Sequence, residues 1–216
     1  MPNHPRLPAI IALAAAIGCG GGGAKSTPSP QKEQLLPPPL PLVTTPFAGQ
    51  TIAVTPLTLL VAADTLPRVP PLNDRKTVLA WADSIIGEAL TIRGADVKWV
   101  LPPELRKVAR RSPTVAPDPD KMGQAALREP ELEEVPDPFR SYVRNLVALI
   151  NGRYALVPAA LSFTPAPDGR VRAELALALA DSRSNKIPWQ TVAWADGSTP
   201  EAALVAALET ILPLGF

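Results

Sequence analysis

The sequence predicts an α/β body of the α+β kind, in which a mixed sheet of about five strands carries helices mainly on one face. Three observations predict it. Apolar residues recur at helical spacing from Val78 to Leu90, as in a helix that buries one side. Val171 to Leu179 alternates as a strand does when one face of its sheet is covered. The Asp168-Gly169 pair just before that strand is a hairpin signal.

The first half of the predicted body alternates strands and helices. Pro56 interrupts the first strand, Asp74 can cap the long helix, and Gly94 is a natural helix stop. The second helix follows Pro102-Pro103, because proline is tolerated in a first helical turn. The four predicted elements are a strand over 50–60, a helix over 74–93, a strand over 97–101 and a helix over 104–110.

The second half is predicted to hold a helix, a three-stranded meander and a closing helix. A polar, proline-rich stretch over 111–137 precedes them and is expected to be a loop insertion, in which residues 118–127 can hold a brief helix. Ser198 to Glu201 resembles a capping box at the start of the last helix. The predicted elements are a helix over 139–151, strands over 154–163, 170–181 and 187–195, and a helix from the capping box to 212. The whole order is β-α-β-α-α-β-β-β-α.

The amino-terminal residues are typical of an export signal. Arg6 precedes an apolar run that is too short to span a bilayer, which needs about 20 residues. The run ends in Ala16-Ile17-Gly18-Cys19, which resembles the lipobox of bacterial lipoproteins. We therefore expect a signal peptide over 1–18 and a lipid on Cys19; an uncleaved anchor or an ordinary signal peptide is the alternative. The lone Cys favours lipidation, since an unpaired thiol in an exported protein needs an explanation.

Residues 19–49 are expected to form a Gly- and Pro-rich tether, and residues 50–216 the body. A spacer without a partner is the favoured interpretation of the tether, and a Pro-rich ligand motif is the alternative. Removing residues 1–18 takes away one of 21 basic residues and the one His, leaving 20 basic and 20 acidic residues. A chain without His, whose one Cys carries lipid, excludes His-dependent triads and Cys/His zinc sites. The neutral balance gives no electrostatic footprint for nucleic acid. No cofactor or metal is expected.

Few side chains in the body suggest chemistry. Arg106, Lys107, Arg110 and Arg111 form a basic cluster on the short helix, for which a solvated face or contact with a partner are the two interpretations. Three further sets have ordinary structural explanations beside functional ones. They are the carboxylates Asp64, Asp74 and Asp83, the tryptophans Trp81, Trp99, Trp189 and Trp194, and the hairpin residues Ser182, Ser184 and Lys186.

Four segments resemble a small α/β domain shared by the amino-terminal part of TolB, CsgG and LpoB. Thr51–Leu57 matches its first strand, Val97–Leu101 a second strand, Asn151–Pro158 a later strand, and Asp181–Trp189 its hairpin, with Asn185 where Gly is usual. The resemblance covers about residues 50–212. It implies a periplasmic adaptor domain that binds another protein. Nothing in the sequence suggests the pore hairpins of CsgG or the propeller of TolB.

The predicted function is therefore a non-catalytic adaptor or accessory lipoprotein in cell-envelope assembly, secretion or transport. Gly20 follows Cys19, where Asp would suggest inner-membrane retention, so the periplasmic face of the outer membrane is the expected location. An envelope protein is the expected partner. A His-free hydrolase using Ser and Lys, or a structural lipoprotein that assembles with itself through a free strand edge, are the alternatives.

Overall fold

One mixed β-sheet organises the protein in this computed structural model, which describes residues 37–66 and 74–213. Within those residues the sheet has six strands, in the spatial order β3-β1-β4-β5-β6, with β2 also pairing with β4. β1 is parallel to β3 and β4, and β2 is parallel to β4, whereas β4, β5 and β6 form an antiparallel meander. The strands are β1 (Thr51–Val54), β2 (Leu60–Ala62), β3 (Lys98–Val100), β4 (Tyr154–Pro165), β5 (Val171–Asp181) and β6 (Trp189–Gly197).

The predicted first strand is split in two at Pro56. β1 pairs with the start of β4 and β2 pairs farther along the same strand, so both halves lie beside one neighbour. Proline lacks the N–H that continues a ladder, which explains the gap. The split accounts for six strands where about five were expected, while the order of strands and helices along the chain is confirmed.

Four α-helices connect or follow the strands, close to their predicted positions. Asp74 caps the first by accepting the Thr77 N–H at 2.8 Å, and Gly94 ends it, both as predicted. The last helix is capped by Thr199, which accepts the Ala202 N–H at 3.1 Å, and not by Ser198 as the capping-box pattern suggested. The helices are α1 (Arg75–Arg93), α2 (Pro102–Arg111), α3 (Phe139–Leu149) and α4 (Pro200–Ile211).

The helices lie on both faces of the sheet, which corrects the expectation that they would pack mainly on one. Helices α1 and α4 bury their apolar sides against one face in a core that includes Ile52 and Val54. Helices α2 and α3 pack on the other face, in a second core that includes Ala53. Because neighbouring strand residues point to opposite faces, β1 contributes to both cores. The α/β (α+β) class itself is confirmed.

The segment over 111–137 is attached to the body more closely than a loop insertion would be. Where a brief helix was predicted over 118–127, the structure has two short 3₁₀ helices, Pro119–Lys121 and Gln124–Arg128. Met122 and Leu127 are almost fully buried in the core shared with α2 and α3. The polar composition hid these few apolar anchors, which attach the segment to the body.

The predicted tether also differs from what the structure describes. Residues 37–49 belong to the same compact unit as the body. Leu42 is buried with α1 and α4, and the Phe47 ring meets Tyr154 edge to face at 5.1 Å between centroids. Within the described residues, the stretch from Pro37 to Gly49 therefore packs as part of the body. The expected signal peptide, Cys19 and the rest of the tether lie outside the described residues.

Candidate functional site

The predicted basic cluster lies on α2, on the sheet face opposite α1 and α4. Pro102 occupies the first turn, and Leu105 and Ala109 turn into the core. Lys107 is exposed near the middle of the helix, and Arg110 and Arg111 are exposed in its last turn. Helical spacing thus separates a buried apolar side from a basic side of the same helix.

Arg106 differs from the other three cations because two carboxylates of the same chain bind its guanidinium. Its guanidinium binds both oxygens of Asp120, with Nη2 to Oδ1 at 2.7 Å and Nε to Oδ2 at 2.9 Å. Nη2 also lies 3.1 Å from Oδ2 of Asp83, on α1. Arg106 therefore ties α1, α2 and the segment after α2 together. Of the four predicted contact residues, only the other three have side chains without an ion-pair partner among the described residues.

Burial is what sets the electrostatics of this network. The Asp83 side chain is only 6% exposed, and loss of solvation raises its pKa above the usual range, against the opposing effects of the Leu57 N–H and Arg106. The Arg106 pKa is raised in turn, chiefly by its hydrogen bonds to Asp120. The guanidinium is thus held charged between two carboxylates of its own chain and contributes little positive potential outside.

The three exposed cations carry the positive potential of this surface, which we call the α2 basic face (Lys107, Arg110 and Arg111). No carboxylate of the described residues forms an ion pair with any of them. Arg110 and Arg111 lie in the last turn of α2, where a cation interacts favourably with the helix dipole, and this is a structural reason for those two. Their lack of partners leaves them available to an anionic group outside the chain.

A groove runs beside the α2 basic face. It encloses about 420 Å³ between Arg110 and the segment that contains Pro113, Ala116 and Pro117. Prolines and alanine supply apolar walls, and Arg110 supplies positive charge. Asp118 and Asp120 also line the groove, and Asp120 is held there by Arg106. The apolar walls beside Arg110 suit contact with a protein that offers an apolar side chain beside a carboxylate.

The Ser–Lys alternative finds no support at the hairpin where it was placed. Ser182 Oγ donates to the Arg153 carbonyl at 2.7 Å, and Ser184 Oγ accepts the Lys186 backbone N–H at 3.4 Å. Lys186 Nζ lies 2.8 Å from Glu134, and this partner raises the lysine pKa. A general base needs a neutral amine, so the shift opposes that role.

The three carboxylates considered as metal ligands have separate structural settings. Asp74 caps α1, and Asp83 accepts the Leu57 N–H and Arg106. Asp64 is exposed after β2. Among residues 37–66 and 74–213, no group of three or more acidic, His or Cys side chains is arranged to hold a metal ion.

All four tryptophans are half-buried. Trp81 packs at a tilt against Phe163, with centroids 6.2 Å apart, and Trp99 Nε1 donates to the Gly94 carbonyl at 2.8 Å. The other two, Trp189 and Trp194, contact the Pro-rich segment before Thr44. Sequence reasoning missed this contact. Its one signal was the pair of Trp residues in the predicted last strand.

None of the four helices in the described part of the chain has both the length and the apolarity needed to span a bilayer.

No protein-family model and no curated protein matches the sequence. Several solved structures are similar to it. The PelC dodecamer from Paraburkholderia phytofirmans is 14% identical, with 81% of this chain and 94% of that chain covered and a TM-score of 0.36. The LpoB C-terminal domain from Salmonella enterica is 15% identical, covering 69% and 84%, with a TM-score of 0.40. A lipoprotein from Neisseria meningitidis is 16% identical, covering 69% and 81%, with a TM-score of 0.35. At these values the likenesses assign no function to the chain.

Proposed function

We propose that the protein is a bacterial envelope lipoprotein, anchored through a lipid on Cys19, whose α/β body acts as a non-catalytic protein-binding adaptor. One observation carries the proposal: Ala16-Ile17-Gly18-Cys19 ends an apolar run of signal-peptide length. The Cys is the only one in the chain, so lipidation also accounts for its unpaired thiol. Acyl chains contribute about 0.8 kcal/mol per buried methylene, so several chains on one Cys hold firmly.

The anchor is proposed to lie in the outer membrane, with the body on the periplasmic side. Gly20 after Cys19 supports this location, since Asp there would favour retention in the inner membrane. Residues 19–36 are proposed as the spacer between lipid and body. Their Gly- and Pro-rich composition is typical of linker sequences.

The α2 basic face and the adjoining groove are proposed as the partner-contact surface. Exposed cations without carboxylate partners beside apolar groove walls favour a protein surface that carries acidic and apolar side chains. A non-catalytic role is favoured because Lys186 is paired with Glu134 and Asp83 is engaged by Leu57 and Arg106.

The anchor is tested by replacing the lipidated residue in the producing bacterium. Cys19→Ala should release the protein from membranes washed with alkaline carbonate and abolish incorporation of a fatty-acid label. Gly20→Ala keeps the Cys and should behave as the wild type. A Cys19→Ala protein that still sediments with membranes would contradict the lipid assignment, whatever its partner.

The contact surface is tested separately, by placing a photo-crosslinking residue at Pro113, an exposed position in the groove beside the α2 basic face, in the intact envelope. A discrete crosslinked protein is expected, and its yield should fall when the α2 basic face is changed to Gln at all three positions. The matched control changes three other exposed cations, Lys76, Lys98 and Arg183, to Gln and should leave the yield unchanged. Equal loss in both variants would indicate a nonspecific charge effect and reject the surface.

A further inference from the structure

A Pro-rich segment, Pro37–Leu42, lies along the outer edge of β6; we call it the strap. The indole Nε1 of Trp194 donates to the Pro37 carbonyl at 3.2 Å, and that of Trp189 donates to the Pro41 carbonyl at 3.2 Å. Residue numbers increase along the strap while the numbers of its β6 partners decrease, from Trp194 through Thr191 to Trp189. The strap therefore runs antiparallel to β6.

The middle and end of the strap add two backbone contacts. The Leu40 N–H donates to Thr191 Oγ1 at 2.8 Å, and the Leu42 N–H donates to the Ile211 carbonyl at the end of α4, at 2.7 Å. Leu42 inserts its side chain into the core between the sheet and α4, whereas Leu40 is 59% exposed. Two indole donors, one hydroxyl acceptor and one apolar slot thus define the groove on the β6 edge (Trp189, Thr191 and Trp194), which we call the edge groove.

These contacts are the chemistry of polyproline recognition. A proline-rich segment makes no internal hydrogen bonds, so its carbonyls are free to accept from indole N–H groups. Aromatic-lined grooves bind such segments with little further ordering. In the described residues no backbone-to-backbone hydrogen bond joins the strap to β6. Side chains therefore provide the recognition, and a segment with the same sequence would be recognised whichever molecule it came from.

The strap is held at few points. Leu42 is its one buried side chain, and the indole bonds lie at the exposed surface. Val43, the next residue, is 59% exposed, and the chain is next fixed at Phe47, which packs on Tyr154. The residues between these two anchors can act as a hinge. Elements with few buried contacts open at a fraction of the global stability.

We propose that the edge groove is a receptor for Pro-rich segments, and that its occupant in trans is the strap of a second copy of this chain, so that two copies exchange straps. The second copy is the occupant because its Pro37–Leu42 carries the same carbonyls, N–H groups and leucine that the groove already binds. Among the described strands β6 pairs only with β5, so the strap lies against an edge that no other strand occupies. Exchange of an identical element is a low-cost route to a dimer. The inference does not require the lipid on Cys19 or the α2 basic face.

The experiment mixes two full-length variants, each of which has lost one half of the contact. The strap variant is Leu42→Asp, and the groove variant combines Trp189→Phe, Thr191→Val and Trp194→Phe. In equal mixture, the intact strap of the groove variant should fill the intact groove of the strap variant. Native mass spectrometry should then detect a heterodimer that neither variant forms with itself. Adding Leu42→Asp to the groove variant leaves no intact strap in the mixture and should abolish the heterodimer.

Two outcomes would overturn the proposal. One is a mixture that stays monomeric although circular dichroism and thermal melting show both variants folded. The other is a heterodimer that persists when neither component has an intact strap. If the strap variant fails to fold, a synthetic peptide of residues 37–44 is titrated into the wild-type chain while tryptophan fluorescence is followed. Saturable binding that is lost in a Leu42→Asp peptide supports the receptor. No binding, or equal binding of an unrelated Pro-rich peptide, rejects the second copy as occupant.

Discussion

Leu57 donates its backbone N–H to Oδ1 of Asp83 at 2.8 Å, and this bond joins the break in the sheet to helix α1. Pro56 ends the ladder between β1 and β2, which leaves the next N–H without a strand partner. Asp83 takes that N–H and holds Arg106 through its other oxygen. One buried carboxylate thus compensates for a proline in the sheet and connects two helices on opposite faces.

We expect Asp83→Asn to be much milder than Asp83→Ala. Asn retains an oxygen for the Leu57 N–H and removes a charge whose burial is unfavourable, while Arg106 keeps Asp120. Its free energy of unfolding should stay within about 1 kcal/mol of the wild type. Ala leaves a buried N–H unsatisfied and should lose about 1–3 kcal/mol. Urea denaturation measures both. Equal losses would show that charge, and not the accepted hydrogen bond, is what stabilises the junction.

Acid should remove a stabilising contribution that depends on Asp181. Burial tends to raise its pKa, but the Arg153 guanidinium at 2.6 Å and the Arg183 N–H at 2.9 Å outweigh burial and hold the pKa at about 2. A carboxylate whose pKa is lower in the folded than in the unfolded state stabilises the fold at pH values above the unfolded-state pKa. That contribution is lost as the pH falls through the folded-state pKa. Because Arg153 is 43% exposed, we expect about 1–2 kcal/mol.

The measurement is the free energy of unfolding between pH 7 and pH 2. The wild type should lose this contribution as pH falls from about 4 through about 2. Asp181→Asn should be less stable at pH 7 and should show a shallower decline over the same interval. Asp64→Asn, at an exposed position, is the control. If the free energy of unfolding of Asp181→Asn fell with pH as steeply as that of the wild type, Asp181 would not contribute to the acid response.

Much of the body could be predicted from local signals. The cap at Asp74, the stop at Gly94 and the turn at Asp168-Gly169 act over a few residues, and the structure has all three. Asp168 and Gly169 adopt φ values of 60° and 71°, the left-handed region that this dipeptide tolerates. Local signals of this kind can be predicted from a single sequence because they do not depend on residues distant in the chain.

The second layer of helices was missed because alanines signal burial weakly. On β5 the polar Arg172 and Glu174 suggested an open face, but Ala176, Ala178 and Ala180 continue the same face into the second core. Small side chains let a helix layer approach the sheet closely, and the strand pattern cannot show whether such a layer is present. Long-range packing decided this point.

The site was equally hard to predict, for the same reason. Four neighbouring cations on α2 look alike in sequence. Only Arg106 is ion-paired, with Asp83, 23 residues earlier in the chain, and with Asp120, 14 residues later. The strap shows the reverse error, since its prolines suggested a free spacer. Its partners on β6 lie about 150 residues away in the chain.

Gly197 should be irreplaceable at the turn from β6 into α4. A Cβ there would lie 2.3 Å from the Ala203 backbone nitrogen and 2.7 Å from the Ala202 carbonyl carbon, both parts of a helix that cannot yield locally. We expect Gly197→Ala to cost more than about 2 kcal/mol of stability. Gly87→Ala in α1 is the control: its Cβ meets the end of the Leu101 side chain at 3.1 Å, and the gain in helix propensity offsets that contact, so the change should stay within about 1 kcal/mol. Comparable stability of the two variants would contradict this packing.

The segment between α2 and α3 should be held by its apolar anchor and not by its surface ion pair. Leu127 is fully buried in the second core, so Leu127→Ala should cost about 2–4 kcal/mol, as large-to-small changes in cores do. Lys186 and Glu134 pair at 2.8 Å, but both are more than half exposed and solvent screens the pair, so Lys186→Ala should lower the free energy of unfolding far less than Leu127→Ala does. Chemical denaturation gives both free energies, and limited proteolysis between residues 111 and 137 reports local release. Faster cleavage in Lys186→Ala than in Leu127→Ala would reverse the assignment, because the segment would then depend on a solvent-screened charge pair for its attachment.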